Sequence, residues 1–343
     1  MYILVTGGAG YIGCHTVRAL QKQGFKVVVL DNLIHGHKQI IEKVLKVPLV
    51  IGDIGDTELV NMILSGKHES TKGETITAVI HFAAFAYVGE SVINPNKYFK
   101  NNVANTIYLL DSLLKVSKER KKANSNYQIP IVFSSTCATY GIPDNYPILE
   151  STKQRPINPY GESKLIIEKL LIKYSEVYGL SSIIFRYFNA AGADPNGDLG
   201  ENPHPETHLI PLAFDAAIKK IPYLKIYGDD YPTSDGTCIR DFVHVVDIAE
   251  AHVIGLKKIL KNNGCYIYNL GTGRGISVKE IISTVEKITN LKIETKVEQR
   301  RKGDPHLLLA SPKKAFKELN WVPKNSGIEN IVRDAWKWFQ SIN

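Results

Sequence analysis

Val5-Thr6-Gly7-Gly8-Ala9-Gly10-Tyr11-Ile12-Gly13 decides the fold class of this chain. It closes an apolar run that begins at Tyr2 and opens a segment of helical periodicity, so it joins a first strand to a first helix. The spacing Gly7-x-x-Gly10-x-x-Gly13 allows a tight turn, with close backbone approach to a pyrophosphate held at the helix N-terminus. Any sharp turn favours glycine. The context, with a strand before and a helix after, is what points to a dinucleotide. The second expected strand ends at Asp31. A carboxylate there accepts hydrogen bonds from ribose hydroxyls and repels a 2′-phosphate, which favours NAD over NADP; the alternative role is a helix N-cap. Asp53 ends the third strand at the same sheet edge, where adenine would lie.

Outward from that turn, the first half of the chain alternates continuous apolar runs with helix-like segments, the pattern of βαβ units and a parallel sheet. Strands are expected at Tyr2–Thr6, Lys26–Leu30, Pro48–Gly52, Ala78–Phe82, Ile129–Ser134 and Ser182–Tyr187. Their Val, Ile and Leu content suits burial on both faces. A long helix is expected from near Asn94 and another from Pro159 to about Tyr178, with a Lys- and Asn-rich surface loop at Lys118–Gln128. Past Tyr187, Pro and Gly become frequent and strands short. The expected architecture is α/β: a Rossmann-type doubly wound parallel sheet over residues 1–188, then a smaller α+β substrate-binding domain over residues 189–343.

The net charge of +8 is carried largely by lysine runs without interleaved aromatics, such as Lys115 to Lys122 and Lys257 to Lys261. Such runs read as solvated faces and not as a nucleic-acid groove. The chain has no apolar stretch of the roughly 20 residues needed to span a bilayer, and its N-terminus lacks the pattern of a secretory signal. Cys14, Cys137, Cys238 and Cys265 form no C-x-x-C pair, so neither a disulfide framework nor a metal cluster is expected. A reducing, cytoplasmic setting fits.

Tyr160-Gly161-Glu162-Ser163-Lys164 places Tyr and Lys four apart on an expected helix, hence on one face. A free tyrosine, with a pKa of about 10, is a poor base near neutrality. A neighbouring ammonium, together with the positive charge of an oxidised nicotinamide, stabilises the phenolate and brings it into working range. The fifth strand ends in Ser134-Ser135-Thr136, and strand carboxyl ends face the ligand crevice in open α/β sheets. Thr136 is thereby a candidate hydrogen-bond partner for the reacting hydroxyl; its bland reading is satisfaction of a turn.

Together these features resemble the extended short-chain dehydrogenase/reductase (NAD-dependent epimerase/dehydratase) superfamily, and within it the 4-epimerases of UDP-hexoses. The likeness covers nearly the whole chain. It is carried by the glycine turn, by Arg186-Tyr187-Phe188-Asn189 and by Gly228-Asp229-Asp230-Tyr231-Pro232-Thr233. Asp235-Gly236-Thr237-Cys238-Ile239-Arg240-Asp241-Phe242-Val243-His244-Val245 and Arg300-Arg301-Lys302-Gly303-Asp304 complete it. The resemblance implies NAD contacts from Gly7, Gly10, Tyr11, Ile12, Gly13, Asp31, Asn32, Leu33, Ile34, His35, Gly36, Asp53 and Ile54. Phe82, Ala83, Ala84, Phe85, Ala86, Asn101, Thr136, Tyr160, Lys164 and Phe188 continue that set. It implies Tyr160 as acid/base with Thr136 and Lys164 beside it, and UDP-sugar contacts from Thr136, Asn189, His208, Leu209, Tyr227, Arg240, Arg301 and Asp304. Arg240 and Arg301 suit a diphosphate on chemical grounds as well. In three places the chain departs from the family pattern: Ala86 where lysine is frequent, Thr136 in place of serine, and His208 where many relatives carry asparagine.

The implied reaction interconverts UDP-galactose and UDP-glucose through a 4-keto sugar, in a homodimer with tightly held NAD. Leu308 aligns with a size gate at sugar C2, so the N-acetylated UDP-GalNAc and UDP-GlcNAc are expected substrates too; its bland reading is packing within Leu307-Leu308-Leu309. A nucleotide-sugar 4,6-dehydratase of the same superfamily is disfavoured, because Cys137 and Ala138 stand where such enzymes place Asp-Glu. A non-catalytic NAD-binding protein would be expected to lose the Tyr/Lys pair or the arginines, and all are present.

Overall fold

In the computed structural model, which describes residues 1–121, 128–301 and 303–343, the chain divides into two compact units. The first comprises Met1–Gly141, Lys153–Arg186 and Ala249–Tyr268; the second comprises Ile142–Thr152, Tyr187–Ile248 and Asn269–Asn343. The chain opens with β1 (Tyr2–Thr6), α1 (Tyr11–Lys22), β2 (Lys26–Asp31), β3 (Leu49–Ile51), α2 (Thr57–Leu64), β4 (Ile76–His81), α3 (Val88–Ile93) and α4 (Pro95–Tyr98). Then come α5 (Asn105–Lys121), β5 (Ile131–Thr136), α6 (Pro159–Tyr178) and β6 (Ser182–Tyr187). β7 (Asn189–Ala191), α7 (Leu209–Ala217), β8 (Leu224–Tyr227), β9 (Ile239–His244), α8 (Val245–Ile259) and β10 (Cys265–Leu270) follow. The chain ends with β11 (Gly275–Ser277), α9 (Val278–Thr289), β12 (Thr295–Glu298), β13 (Leu307–Leu308), α10 (Lys313–Leu319) and α11 (Ile328–Ile342).

Strands apolar on both faces need cover on both, and here they lie in one seven-stranded sheet of order β10-β6-β5-β4-β1-β2-β3. β1 pairs in parallel with β2 and β4, β2 with β3, and β4 with β5. Every residue of β1, β5 and β6 is buried. The chain runs outward from β1 to β3, then returns to the other side of β1 for β4 and β5. Strand order therefore reverses between β1 and β4, and the crevice at the strand carboxyl ends beside such a reversal is where ligands bind.

One expectation holds with a refinement and two need correction. The long helix from near Asn94 is α4, a π-helical stretch Phe99–Ala104 and α5 in succession. The wider π turn brings the Asn102 side chain onto the backbone of Phe85, where it accepts from the N–H at 2.9 Å and donates to the C=O at 3.0 Å. Of the expected loop 118–128, residues 118–121 continue α5, and 122–127 lie outside the described residues, as does Lys302 of the arginine motif. Nor does the chain change units once at 188. Ala249–Tyr268 belongs to the first unit, where β10 extends the sheet beyond β6. Gly255 of α8 lies so close to Phe185 of β6 that a Cβ would fall 2.7 Å from the ring, and His252 packs on the rings of Phe82 and Phe185.

In the second unit β9 pairs with β7 and β13 in parallel and with β11 in antiparallel sense, and β8 pairs with β12. Its core is drawn from α7, α9 and α11, with Phe214, Ile281, Val285, Ile331 and Phe339 packed together. Among the described residues no helix is long and apolar enough to cross a membrane. Phe214 is 1% exposed and packs on the rings of Trp336 and Phe339. Phe214→Ala is expected to destabilise this unit by about 3–5 kcal/mol, read as a lowered denaturant midpoint.

Candidate active site

The glycine turn is dictated by the backbone. Gly7 has φ +69°, and a Cβ on it would lie 2.5 Å from the Ala83 nitrogen. A Cβ on Gly13 would lie 2.2 Å from the Gly7 carbonyl oxygen. Gly10 differs: its Cβ would meet only that oxygen, at an ordinary 3.5 Å. Gly10 is the N-cap of α1, with no capping side chain and no acidic residue in the first turn. The start of α1 is thus a cradle of backbone donors and positive dipole that no side chain of its own fills, which fits a pyrophosphate.

Asp31 ends β2 beneath this turn, 8% exposed, and its carboxylate accepts from Ala9 N–H and Leu33 N–H, each at 2.9 Å. Burial raises its pKa, against those two bonds. It is therefore no helix cap; it ties the glycine turn to the strand end, and a carboxylate has lone pairs left for ribose hydroxyls. Gly36 leaves room for it, since a Cβ there would be 2.7 Å from Asp31 Oδ1. Asp53 accepts from Asn32 and Asn105 side chains and from Gly55 N–H, so Asn32 and Asp53 meet. Ile54 is buried nearby, whereas Ile34 and Ala86 are exposed. His35 sets its ring edge-on to Phe85 at 5.7 Å, and Asn101 donates to Asn102 Oδ1 at 3.0 Å. Phe85 of the Phe82–Ala86 loop is thereby held through its backbone by Asn102 and met at its ring by His35.

α6 starts at Asn158, whose side chain accepts from Gly161 N–H at 2.8 Å, with Pro159 in the first helical position. Gly161 has a reason to be glycine: a Cβ would stand 2.6 Å from the Ala138 carbonyl oxygen, so the helix presses against the turn that follows β5. Thr136 Oγ1 accepts from Ala138 N–H at 3.1 Å, which leaves its hydroxyl proton to donate elsewhere. Tyr160 stands edge-on to Tyr98, with ring centroids 6.5 Å apart. One turn on, Lys164 is 4% exposed; Nζ donates to the Ser134 carbonyl at 2.8 Å and sits 4.9 Å above the Phe133 ring. Burial drives its ammonium down to about 7, against the pull of Glu168. Beneath it His81 is neutral: burial and the Lys164 charge carry it to about 3. Thr106 spends its proton on the Asn102 carbonyl, so His81 Nε2–H donates to Thr106 and Nδ1 accepts from Thr6.

In the second unit Tyr227, Arg240, Arg301, Asp304 and Leu308 come together. Arg240 lies on β9 and pairs with Asp304; Asp304 N–H closes a turn onto the Arg301 carbonyl at 3.1 Å, and the Arg301 guanidinium stacks 4.0 Å above Tyr227. Leu308 faces Arg240 directly in the β13–β9 register. Asn189 pairs with Phe242 on the other flank of β9, and Phe188 is buried with its N–H on Leu270. His208 caps α7 just ahead of Leu209, exposed, with Nδ1 engaged by Glu201. Asp241 stands in the motif around Arg240 with no role expected of it. Fully buried, it accepts from Thr272 N–H and Oγ1, Gly273 N–H and Ala310 N–H. Strand alternation beside Arg240 is the signal that would have found it: one residue faces the site and the next anchors the strand. Ser135, Glu168 and Arg186 form a second buried cluster that was passed over.

Gly13→Ala puts a methyl group where the Gly7 carbonyl stands. Dinucleotide released on denaturing the purified protein is expected to fall to a trace in this variant, with the second unit's stability unchanged; wild-type retention would contradict the assignment of this turn.

The chain is similar along nearly its whole length to 4-epimerases of UDP-sugars. A family model described as the NAD dependent epimerase/dehydratase family matches residues 3–271. A UDP-glucose 4-epimerase of Halalkalibacterium halodurans is 46% identical over 98% of this chain and 95% of that protein. The solved structure of UDP-glucose 4-epimerase from Brucella ovis in complex with NAD superposes with a TM-score of 0.89 at 43% identity, covering 98% of both chains. The UDP-Glc/GlcNAc 4-epimerase of Campylobacter jejuni follows at 0.81 and 37%, covering 99% of each. With a matched model over most of its length and relatives this similar from end to end, the chain belongs to the NAD dependent epimerase/dehydratase family.

Proposed function

We propose that the protein is a UDP-hexose 4-epimerase that interconverts UDP-galactose and UDP-glucose. The observation that carries this reading is Tyr160 one helical turn from the buried Lys164 ammonium, on a helix pressed against the turn after Thr136. NAD would be held by the glycine turn, the Asp31–Gly36 loop, Asp53, Ile54, the Phe82–Ala86 loop, Asn101, Lys164 and Phe188. When bound, it supplies a hydride acceptor that can also return the hydride, so no external oxidant is consumed.

The chain's own groups manage protons and position. Tyr160, as phenolate, takes the proton of the sugar 4-hydroxyl and later returns one; the Lys164 ammonium stabilises that phenolate. Thr136 donates its hydroxyl proton to the reacting oxygen. Arg240 and Arg301 are proposed to grip the diphosphate through charge-assisted bonds, with Asp304 and Tyr227 setting the two guanidinium planes. Inversion needs the nucleotide held firmly and the hexose loosely enough to turn over, and arginines on the diphosphate with few groups dedicated to the sugar meet that need. Cys137 and Ala138 supply no acid and base for elimination, which speaks against a 4,6-dehydratase. A cytoplasmic homodimer working in galactose metabolism completes the proposal, and light scattering of the purified protein tests the dimer.

Tyr160→Phe removes the proton acceptor and keeps the ring. Turnover of UDP-galactose is expected to fall roughly 100- to 10,000-fold, with UDP affinity by calorimetry unchanged. Near-native turnover would refute Tyr160 as the acid/base.

Leu308, beside Arg240, is proposed to gate the substituent on sugar C2. Leucine lacks the bulk of a tyrosine, so measurable epimerisation of UDP-GalNAc alongside UDP-galactose is expected from the wild type. Leu308→Tyr should depress the first activity and largely spare the second. An unchanged ratio would remove residue 308 from the pocket.

A further inference from the structure

We infer that Glu168 is a positioning residue, which with Ser135 and Arg186 fixes the register of α6 against β5 and so holds Tyr160 and Lys164 opposite Thr136. This rests on the acid/base role proposed for Tyr160.

Glu168 is 1% exposed and Arg186, on β6, 2%. The Arg186 guanidinium grips the carboxylate through Nε at 3.0 Å and Nη2 at 2.6 Å, both to Oε2. Gln154 donates to Oε2 at 2.9 Å, and the fully buried Ser135 donates its hydroxyl to Oε1. Arg186 Nη1 donates to the hydroxyl of Tyr140, which ends the turn following Thr136, at 2.8 Å. Three consecutive residues of β5 thus have matched partners: the Ser134 carbonyl takes Lys164, the Ser135 hydroxyl takes Glu168, and Thr136 is the proposed partner of Tyr160. Tyr160, Lys164 and Glu168 follow one another at four-residue spacing on a single helix face, so the helix is stitched to the strand at two successive turns.

A buried ion pair is a poor source of stability, because desolvation offsets the attraction. What this one supplies is direction. A slip of α6 by one residue would strand a carboxylate in the core without donors, leaving its desolvation unanswered. The slip is therefore forbidden, and with it any displacement of the tyrosine from the strand end. The carboxylate is also the anionic neighbour of the Lys164 ammonium. Of the other ionisable groups, His81 faces the ammonium, Arg186 faces the carboxylate and Tyr140 faces the guanidinium, with Tyr160 one helical turn before Lys164.

The test uses Glu168→Gln, which keeps the shape and removes the charge, and Ser135→Ala, which cuts the strand-to-helix stitch and leaves the ion pair whole. In both, kcat for UDP-galactose should fall about tenfold or more, with KM within about threefold and UDP affinity and NAD content at wild-type levels. In Glu168→Gln the alkaline limb of the kcat profile should also move to lower pH, because the ammonium loses its anionic neighbour. If Glu168→Gln does not fold, Ser135→Ala decides alone. Unchanged kcat with only a lowered melting temperature would reduce the cluster to a structural role and overturn the inference. Tyr160→Phe is run in parallel: if that variant stays active, it is the acid/base reading that has failed, whatever the other two show.

Discussion

An ammonium sealed beneath the end of β5 sets the conditions for the groups around it. Lys164 is buried, yet its charge has a carbonyl, a ring face and a carboxylate one turn away to answer it. Removing a cation from water is costly, and the local arrangement follows from reducing that cost. His81 must be neutral, and its tautomer is fixed by Thr6 and Thr106. Glu168 must be near, and being buried itself it must be satisfied by Ser135, Gln154 and Arg186. Gly161 must lack a side chain so that the helix can come close enough to β5 for the ammonium to reach it. The phenolate proposed at Tyr160 lies one helical turn before that ammonium.

Much of this was legible in the sequence, for an identifiable reason. Features that depend on the backbone of neighbouring residues leave local traces: the glycines of the first turn, the acidic end of β2, and Tyr and Lys four apart. Apolar strands buried on both faces gave the sheet within about two residues at most ends. Features that depend on distant partners left none. Arg186 stands in a family motif without a role of its own and Glu168 in no motif, although Glu168 continues the four-residue spacing of Tyr160 and Lys164. β10 joins the first sheet from far downstream, so a single boundary at 188 was the natural reading and the chain does something else. Asp31 carried two roles in one carboxylate, and only its bonds to Ala9 and Leu33 reveal the structural one.

The second unit shows the same division of labour on a single strand. β9 turns Arg240 outward to Asp304 and Asp241 inward to a ring of backbone donors. Asp241 accepts from neutral groups, so the loop at Thr272 and Gly273 and the strand end at Ala310 are fixed relative to Arg240 without a competing cation. Leu308, in register with that arginine, inherits its position from the same ladder. The gate proposed at Leu308 lies on a strand, in register with one of the arginines proposed to grip the diphosphate, so changes of side-chain size there would translate directly into changes of room.

Hydrogen at sugar C4 is proposed to leave and return within one site, with Tyr160 handling only the proton. UDP-galactose carrying deuterium at C4, incubated with the purified protein in ordinary water, tests it by magnetic resonance of the product. UDP-glucose with the deuterium still at C4 is the expected product. UDP-glucose with that position washed out to protium, or no UDP-glucose at all, would contradict it.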